Sequence, residues 1–469
     1  VLAWVWAPWL NADEVQRRHE TQFAHKLGRF GYPFHICLAL LLCAGVVGPM
    51  AAVELGGIAV AVCFLTRLPF VWRGVGDAVR QPATILLLAW ASWVWALVWR
   101  DGFTDAGVHE ASYQRWGPAL VVLWAVMDRR RWMIAALGVW FALAQLAQLL
   151  EFAGYVWGVE QLVWSHPPAP DPAARVSGWW HQPAVGGSML VACLGLHLGP
   201  AVFGGGRVRV MAVVACVATA LAMVATGTRG AWIAGLTLTG LVVLAAVMLR
   251  VKATGAGGSK RVIVGVLIAL GLAGGCVFVL DGARERMLRL GTEARAAWVR
   301  GELDSDVGGR ILAARAALDA AASHPIAGIG PGGFNAHLRT YAEREGVKVS
   351  PHRFEHLKTA HNTVLHTLAT QGVVGVLLLF AAVLCAIAAG LRPHVSAGLR
   401  GAVGLREHLG TYASAPALAL LGLVIAGAFD TTTLNASTAA LSTILIALCG
   451  TVRPSESDRR LTNLGGGTQ

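Results

Sequence analysis

Charge is scarce in this chain. Asp, Glu, Lys and Arg make up 14% of its 469 residues while hydrophobic types reach 56%, and the mean hydropathy is +0.59. An ordinary soluble globular domain, roughly a quarter charged, is excluded by that balance. Cysteine is missing from every polar stretch. All eight (Cys37, Cys43, Cys63, Cys193, Cys216, Cys276, Cys385 and Cys449) lie in apolar runs, so they read as small core residues and leave the compartment of the loops open. No short apolar segment with a small-residue cleavage site precedes the first long run, so no removable signal peptide is expected. A repeat of 20 to 50 residues is lacking too. Lys and Arg outnumber Asp and Glu by 38 to 26, for a formal charge of +12. They are scattered between apolar runs rather than gathered on one face, which argues against a nucleic-acid partner.

Long apolar runs are what the chain does have. A bilayer core of roughly 30 Å takes about 20 helical residues. Runs near 33–50, 54–71, 83–99, 117–128, 132–152, 185–203, 208–227, 230–249, 262–280, 370–391, 414–430 and 433–451 meet or approach that length, the fourth being short. The sequence therefore predicts an all-α integral membrane protein of about 12 transmembrane helices. Arg67, Arg73 and Arg80, Arg129 to Arg131, Arg250 and Lys252, and Arg453, Arg459 and Arg460 fall on one side of this alternation. The positive-inside bias makes that side cytoplasmic and puts both termini there. The expected organisation is nine spans in 1–280, a large, mostly helical outer loop domain in 281–369, three spans in 370–451 and a cytoplasmic tail in 452–469. Outside is periplasmic in a cell that has a periplasm.

Candidate chemistry gathers on the outer face. In "TAHNTVLHTLATQGVVG", residues 359–375, His361 and Asn362 stand where the tenth span begins. Asn is a natural N-cap, and a helix N-terminus favours a nearby anion and a neutral imidazole. "ATGTRGAWIAG", residues 225–235, is a tight turn whose one charge, Arg229, stands on the outer face against the positive-inside bias. Headgroup contact is the simpler explanation of both. Arg310 in "DVGGRILAA" and Arg175 in "RVSGWWHQPAVGG" share the same face; each alone reads as a solvated arginine, and convergence is what raises them. Asp430 in "FDTTTLN" could orient a partner or cap a helix. "GIGPGGF", residues 328–334, is taken as a turn that lets backbone approach a ligand or the bilayer; Pro331 and the lack of a preceding strand argue against a dinucleotide loop. "DSD", residues 304–306, reads as an acidic turn in preference to a metal site.

Taken in order, "RVSGWWHQPAVGG", "TGTRGAW", "HPIAGIGPGGF" and "AHNTVLHTLATQGVVG" resemble the O-antigen ligase and O-antigen polymerase superfamily of bacterial inner-membrane glycosyltransferases. The resemblance spans about residues 170–376, and loop size and placement look most like the ligases. It implies a fold similar to the GT-C class. It also implies transfer of a glycan from an undecaprenyl-diphosphate donor to a sugar hydroxyl of the lipid A core, on the periplasmic face and without a metal; no cofactor is expected. By position, the family's loop histidine falls on His361 and its turn arginine on Arg229. Its loop arginine falls on Arg310. Arg175 is a further diphosphate ligand in this reading, with Asn362, His337, Arg339 and Asp430 supporting. Serines common around the family's turn arginine are replaced here by "TGTRGA".

These residues suit an inverting single displacement: His361 as base, the arginines as fixed cations for the departing diphosphate. Three rivals stand beside it. A polymerase would use a second lipid-linked glycan as acceptor, and a protein oligosaccharyltransferase a protein hydroxyl. A secondary transporter would put its ionisable residues at the midplane of repeated halves, which this sequence does not.

Overall fold

The computed structural model describes residues 45–47, 55, 58, 79, 81–113, 130–157, 176, 178–180, 182–254, 281–391 and 409–450. Every regular element among them is helical. In chain order these are α1 (Pro82–Arg100), α2 (Asp105–Ser112), α3 (Arg130–Trp157), α4 (Pro183–Phe203), α5 (Gly206–Ala225), α6 (Arg229–Thr254), α7 (Asp281–Arg295), α8 (Asp306–Ser323), α9 (Phe334–Arg344), α10 (Pro351–His356), α11 (Thr363–Leu391), α12 (Ala415–Ala426) and α13 (Ala436–Gly450).

Six of them, α1, α3, α4, α5, α6 and α11, are long and apolar enough to cross a membrane. They are the third, fifth, sixth, seventh, eighth and tenth of the expected runs. The fourth and ninth runs, nearly all of the first two and the 452–469 tail lie outside the described residues. Pro82 and Pro183 open α1 and α4 at positions where a missing N–H costs nothing.

The axis of the bundle is α4, buried without interruption from Val185 to Leu196. Small residues make such enclosure possible. A Cβ on Gly195 would fall 2.5 Å from the Leu418 carbonyl of α12, and one on Gly199 2.7 Å from the Leu409 carbonyl. Glycines four residues apart on one face let membrane helices approach at backbone distance. A polar tie adds to the packing: Gln145 of α3 donates to Thr219 of α5 at 2.8 Å and to Cys193 of α4 at 2.9 Å.

Two expected spans differ from the reading. The runs at 414–430 and 433–451 fold as α12 and α13, of 12 and 15 residues, which at 1.5 Å per residue gives about 18 and 22 Å, short of the ~30 Å hydrocarbon core. The residues between them form a polar corner, 427–435, with a 3-10 turn at Thr432–Leu434.

Helices α7 to α10 form a helical cap whose α8 and α9 pack against α11. The alanine-rich stretch is α8, begun by Ser305, whose Oγ accepts the Gly308 N–H at 3.0 Å. Leu312, Ala313, Ala316, Ala317 and Ala320, at helical spacing, pack with Phe334, Leu338 and Ala342 of α9 into a separate core.

The expected border at residue 370 falls inside a helix. α11 begins at Thr363 and breaks at Gly372, where φ is +68° and ψ −171°. That conformation suits only glycine, and a Cβ there would collide with the Ile326 carbonyl. The break frees three carbonyls, and each finds a donor outside the helix. Ala369 accepts from Ile329 N at 2.9 Å and Thr370 from Gly330 N at 3.0 Å. Gln371 accepts from the Trp93 indole at 3.0 Å. The glycine-rich "GIGPGGF" loop thus brings its backbone against this chain's own broken helix.

Candidate functional site

The site forms where the cap meets the corner at 427–435. Asn362 caps α11 as its sequence position suggests: its Oδ1 accepts from Leu365 N at 3.0 Å. Its amide donates to the Ala428 carbonyl at 2.9 Å, while Thr363 N donates to Gly427 O at 2.7 Å. The Thr363 hydroxyl donates to the Asp430 carbonyl at 3.1 Å and accepts from Thr432 N at 3.1 Å. One helix start therefore holds the whole corner.

Asp430 is the partner of His361. Its Oδ1 lies 3.5 Å from His361 Nδ1 and accepts from Thr431 N at 2.8 Å. Burial alone would raise this carboxyl's pKa. The hydrogen bond and charge of His361, the Thr431 N–H and the charge of Arg310 outweigh burial and hold it below its ordinary value. Facing the carboxylate with Nδ1 leaves His361 Nε2 as the nitrogen that can take a proton. His361 itself stands at φ +47°, a left-handed conformation that costs a non-glycine residue roughly 1–2 kcal/mol.

Arg310 reaches the same corner, and the helix that Arg229 begins packs beside it. Arg310, from the first turns of α8, donates from Nη1 to the Phe429 carbonyl at 2.7 Å. Arg229 opens α6 beside it, for Gly230 packs so tightly that a Cβ would fall 2.6 Å from Phe429 Cβ. Arg229, the one charge of its turn, has a partner from another helix: Glu293 of α7 lies 3.7 Å from its Nη1. The turn between α5 and α6 is as tight as expected, closed by Thr226 Oγ1 accepting from Thr228 N at 3.1 Å. Hydroxyls of "TGTRGA" thus serve the turn: Thr228 donates to the Pro183 carbonyl at 2.9 Å, tying it to α4.

Other candidates lie elsewhere. Arg175 is outside the described residues; its neighbour Val176 donates to the Ala225 carbonyl at the end of α5. His337 faces Asp319 at 3.0 Å inside the cap, and Arg344 holds the same carboxylate at 2.6 Å. Arg344, then His337, keeps the Asp319 carboxyl below its usual range, against a smaller effect of burial. Arg339 donates to Asn335 at 3.2 Å and lies over the Phe354 ring. Both belong to the cap's internal packing. In the acidic "DSD" turn, Asp304 accepts from Ser350 N and Oγ, and Asp306 pairs with Arg353 at 2.9 Å, which fastens the start of α10.

A buried pair went unread in the sequence. Glu110 of α2 meets His366 Nε2 at 3.2 Å with its Oε1 and accepts from Gly332 N at 2.7 Å with its Oε2. His366 is 1% exposed, and its Nδ1 accepts from Ala360 N at 3.4 Å, one residue before His361. A carboxylate, an imidazole and a backbone amide therefore set the chain's direction as it enters the left-handed His361.

Helices of membrane length suit a multi-pass membrane protein, and His361, Asp430 and Arg310 meet at its 427–435 corner beside the start of α6. Such a set can take a proton and hold an anion. Residues 214–380, from within α5 to within α11, match the family model described as O-Antigen ligase, and that segment carries Arg229, Glu293, Arg310 and His361. Over that segment the chain is similar to an O-antigen ligase-type family, whose members are glycosyltransferase-like enzymes. No curated protein matches it.

Proposed function

We propose that the protein is an O-antigen ligase of the bacterial inner membrane, working on the periplasmic face. It transfers glycan from an undecaprenyl-diphosphate donor to a sugar hydroxyl of the lipid A core, with inversion and without a metal. One observation carries the reading: His361 on Asp430 and Arg310 on Phe429 meet at one corner, with Arg229 against it through Gly230.

In the proposed step the acceptor hydroxyl gives its proton to His361 Nε2 as its oxygen bonds to the anomeric carbon. The bond from that carbon to the diphosphate oxygen breaks on the opposite side, and undecaprenyl diphosphate leaves with the electron pair. Asp430 steadies the imidazolium that forms. Arg229 and Arg310 offset the charge gathering on the leaving group, where fixed donors act with little reorganisation. Arg175 is assigned to the same diphosphate. Covering of the site by the cap limits water, which would otherwise compete with the sugar hydroxyl.

The reading is tested by supplying purified protein with lipid-linked glycan and lipopolysaccharide lacking O-antigen, and resolving the products by size. Ladder-bearing lipopolysaccharide supports the ligase. Lengthening of the lipid-linked glycan alone would make the protein a polymerase.

A further inference from the structure

Arg229 and Glu293 are paired by charge alone. Their 3.7 Å separation is too long for a hydrogen bond, and Arg229 Nε and Glu293 Oε2 are both buried with no hydrogen-bond partner among the described residues. A guanidinium and a carboxylate each left short of a partner at one contact call for an explanation, since buried polar groups are ordinarily satisfied. Glu293 also stands in the wall of a cavity of about 770 Å³, within the roughly 300–1,000 Å³ usual for ligand sites. The polar lining comes from Thr292 and Glu293 on α7, Arg300 and Glu302 on the turn after it, and Asp304, Ser305 and Lys348. That set offers three carboxylates and two hydroxyls as acceptors, two cations as donors and no aromatic face, which fits a string of hydroxyls better than a nucleobase or an apolar tail.

We propose that this cavity holds the reducing-end sugars of the donor glycan, with Glu293 accepting a sugar hydroxyl as the diphosphate takes its place on Arg229. The assignment rests on the donor reading above and adds to it where the glycan lies. In the free protein Glu293 is a stand-in anion, which keeps the half-buried arginine compensated. When a phosphate oxygen supplies the bond that Nε lacks, Glu293 gains a hydroxyl partner from the adjoining sugar. One rearrangement thereby satisfies both orphaned atoms.

The experiment is equilibrium binding to the full-length protein in detergent, comparing undecaprenyl diphosphate bare with the same lipid carrying one oligosaccharide repeat. Wild type is expected to bind the glycan-bearing lipid ~10-fold or more tighter. Thr292→Trp, from an exposed helix position that can fill the cavity, brings the glycan-bearing lipid down to the affinity of the bare one. Glu293→Gln binds the bare lipid more tightly, about threefold or more, because the competing carboxylate is gone. Retention of the full preference by Thr292→Trp, or no preference in wild type that does bind the bare lipid, overturns the assignment. Failure of wild type to bind either lipid overturns the donor reading itself, and the cavity assignment falls with it.

Discussion

Glu110 reaches across 256 residues of sequence to hold His366 at 3.2 Å, and the far side of that imidazole accepts the N–H of Ala360. Three segments meet there: α2, the Gly332 loop and the start of α11. Removing the carboxylate strands two buried donors, the His366 Nε2–H and the Gly332 N–H, at about 1–3 kcal/mol each. Glu110→Ala is therefore expected to lower the thermal midpoint markedly, whereas Glu110→Gln, which can still accept from Gly332 N, loses less. An unchanged midpoint for Glu110→Ala would remove this pair from the account.

Asp430 carries the pH dependence that can be assigned. Its folded-state pKa is lowered, so its contribution to stability is present above the ordinary carboxylate value of about 4 and is lost as pH falls through the lower folded value. The stability gap between wild type and Asp430→Asn should hold steady from neutral pH down to about 4 and close below it. Transfer by Asp430→Asn should fall roughly 10-fold or more, for want of the carboxylate that orients His361. Melting curves across pH check the first statement and initial rates the second; a gap that closes between pH 5 and 7 contradicts the assignment.

Asn362 does two separable things. Its Oδ1 caps α11 and its amide holds Ala428. Asn362→Asp keeps the cap and loses the donor; Asn362→Ala loses both, at about 1 kcal/mol for the cap alone. The order of stability in chemical denaturation should be Asn, then Asp, then Ala. Equal loss in both variants would mean that the cap contributes nothing.

At Gly372 the chain needs both a left-handed φ and the absence of a Cβ. Gly372→Ala should cost more than about 2 kcal/mol, through strain and collision with Ile326. Proteolysis at 325–330, where the Ile329 and Gly330 amides donate to the broken helix and the Pro325 carbonyl accepts from it, should quicken in parallel. A variant as stable as wild type would show that α11 can run through the break.

Much of this arrangement was legible in the sequence. Run length gave the six described membrane-length helices, and the tight turn before Arg229 and the Asn362 cap follow from local residue chemistry. Asp430 could be suspected as a partner, since it stands between two runs on the same face as His361. Glu110 and Glu293 could not be read that way. "VHEAS" and "RLGTEAR" look like solvated helices, and only tertiary contact gives their carboxylates a role. His366 left a faint signal. Thr363, His366, Thr367, Thr370 and Gln371 make the first two turns of α11 too polar to face lipid, and all five are buried. The lengths of α12 and α13 were misread because Ala428, Phe429 and Leu434 carry both apolar runs into the polar corner at 427–435, where backbone hydrogen bonding to Asn362 and Thr363 ends α12 early.

The central claim is that His361 takes the proton of an acceptor sugar. Its most direct test is transfer in vitro with EDTA present, using lipid-linked glycan and lipopolysaccharide lacking O-antigen, and comparing wild type with a folded His361→Ala. The account predicts ladder-bearing lipopolysaccharide from wild type and a rate on the order of 100-fold lower or less from the variant. Transfer by His361→Ala at the wild-type rate would contradict it.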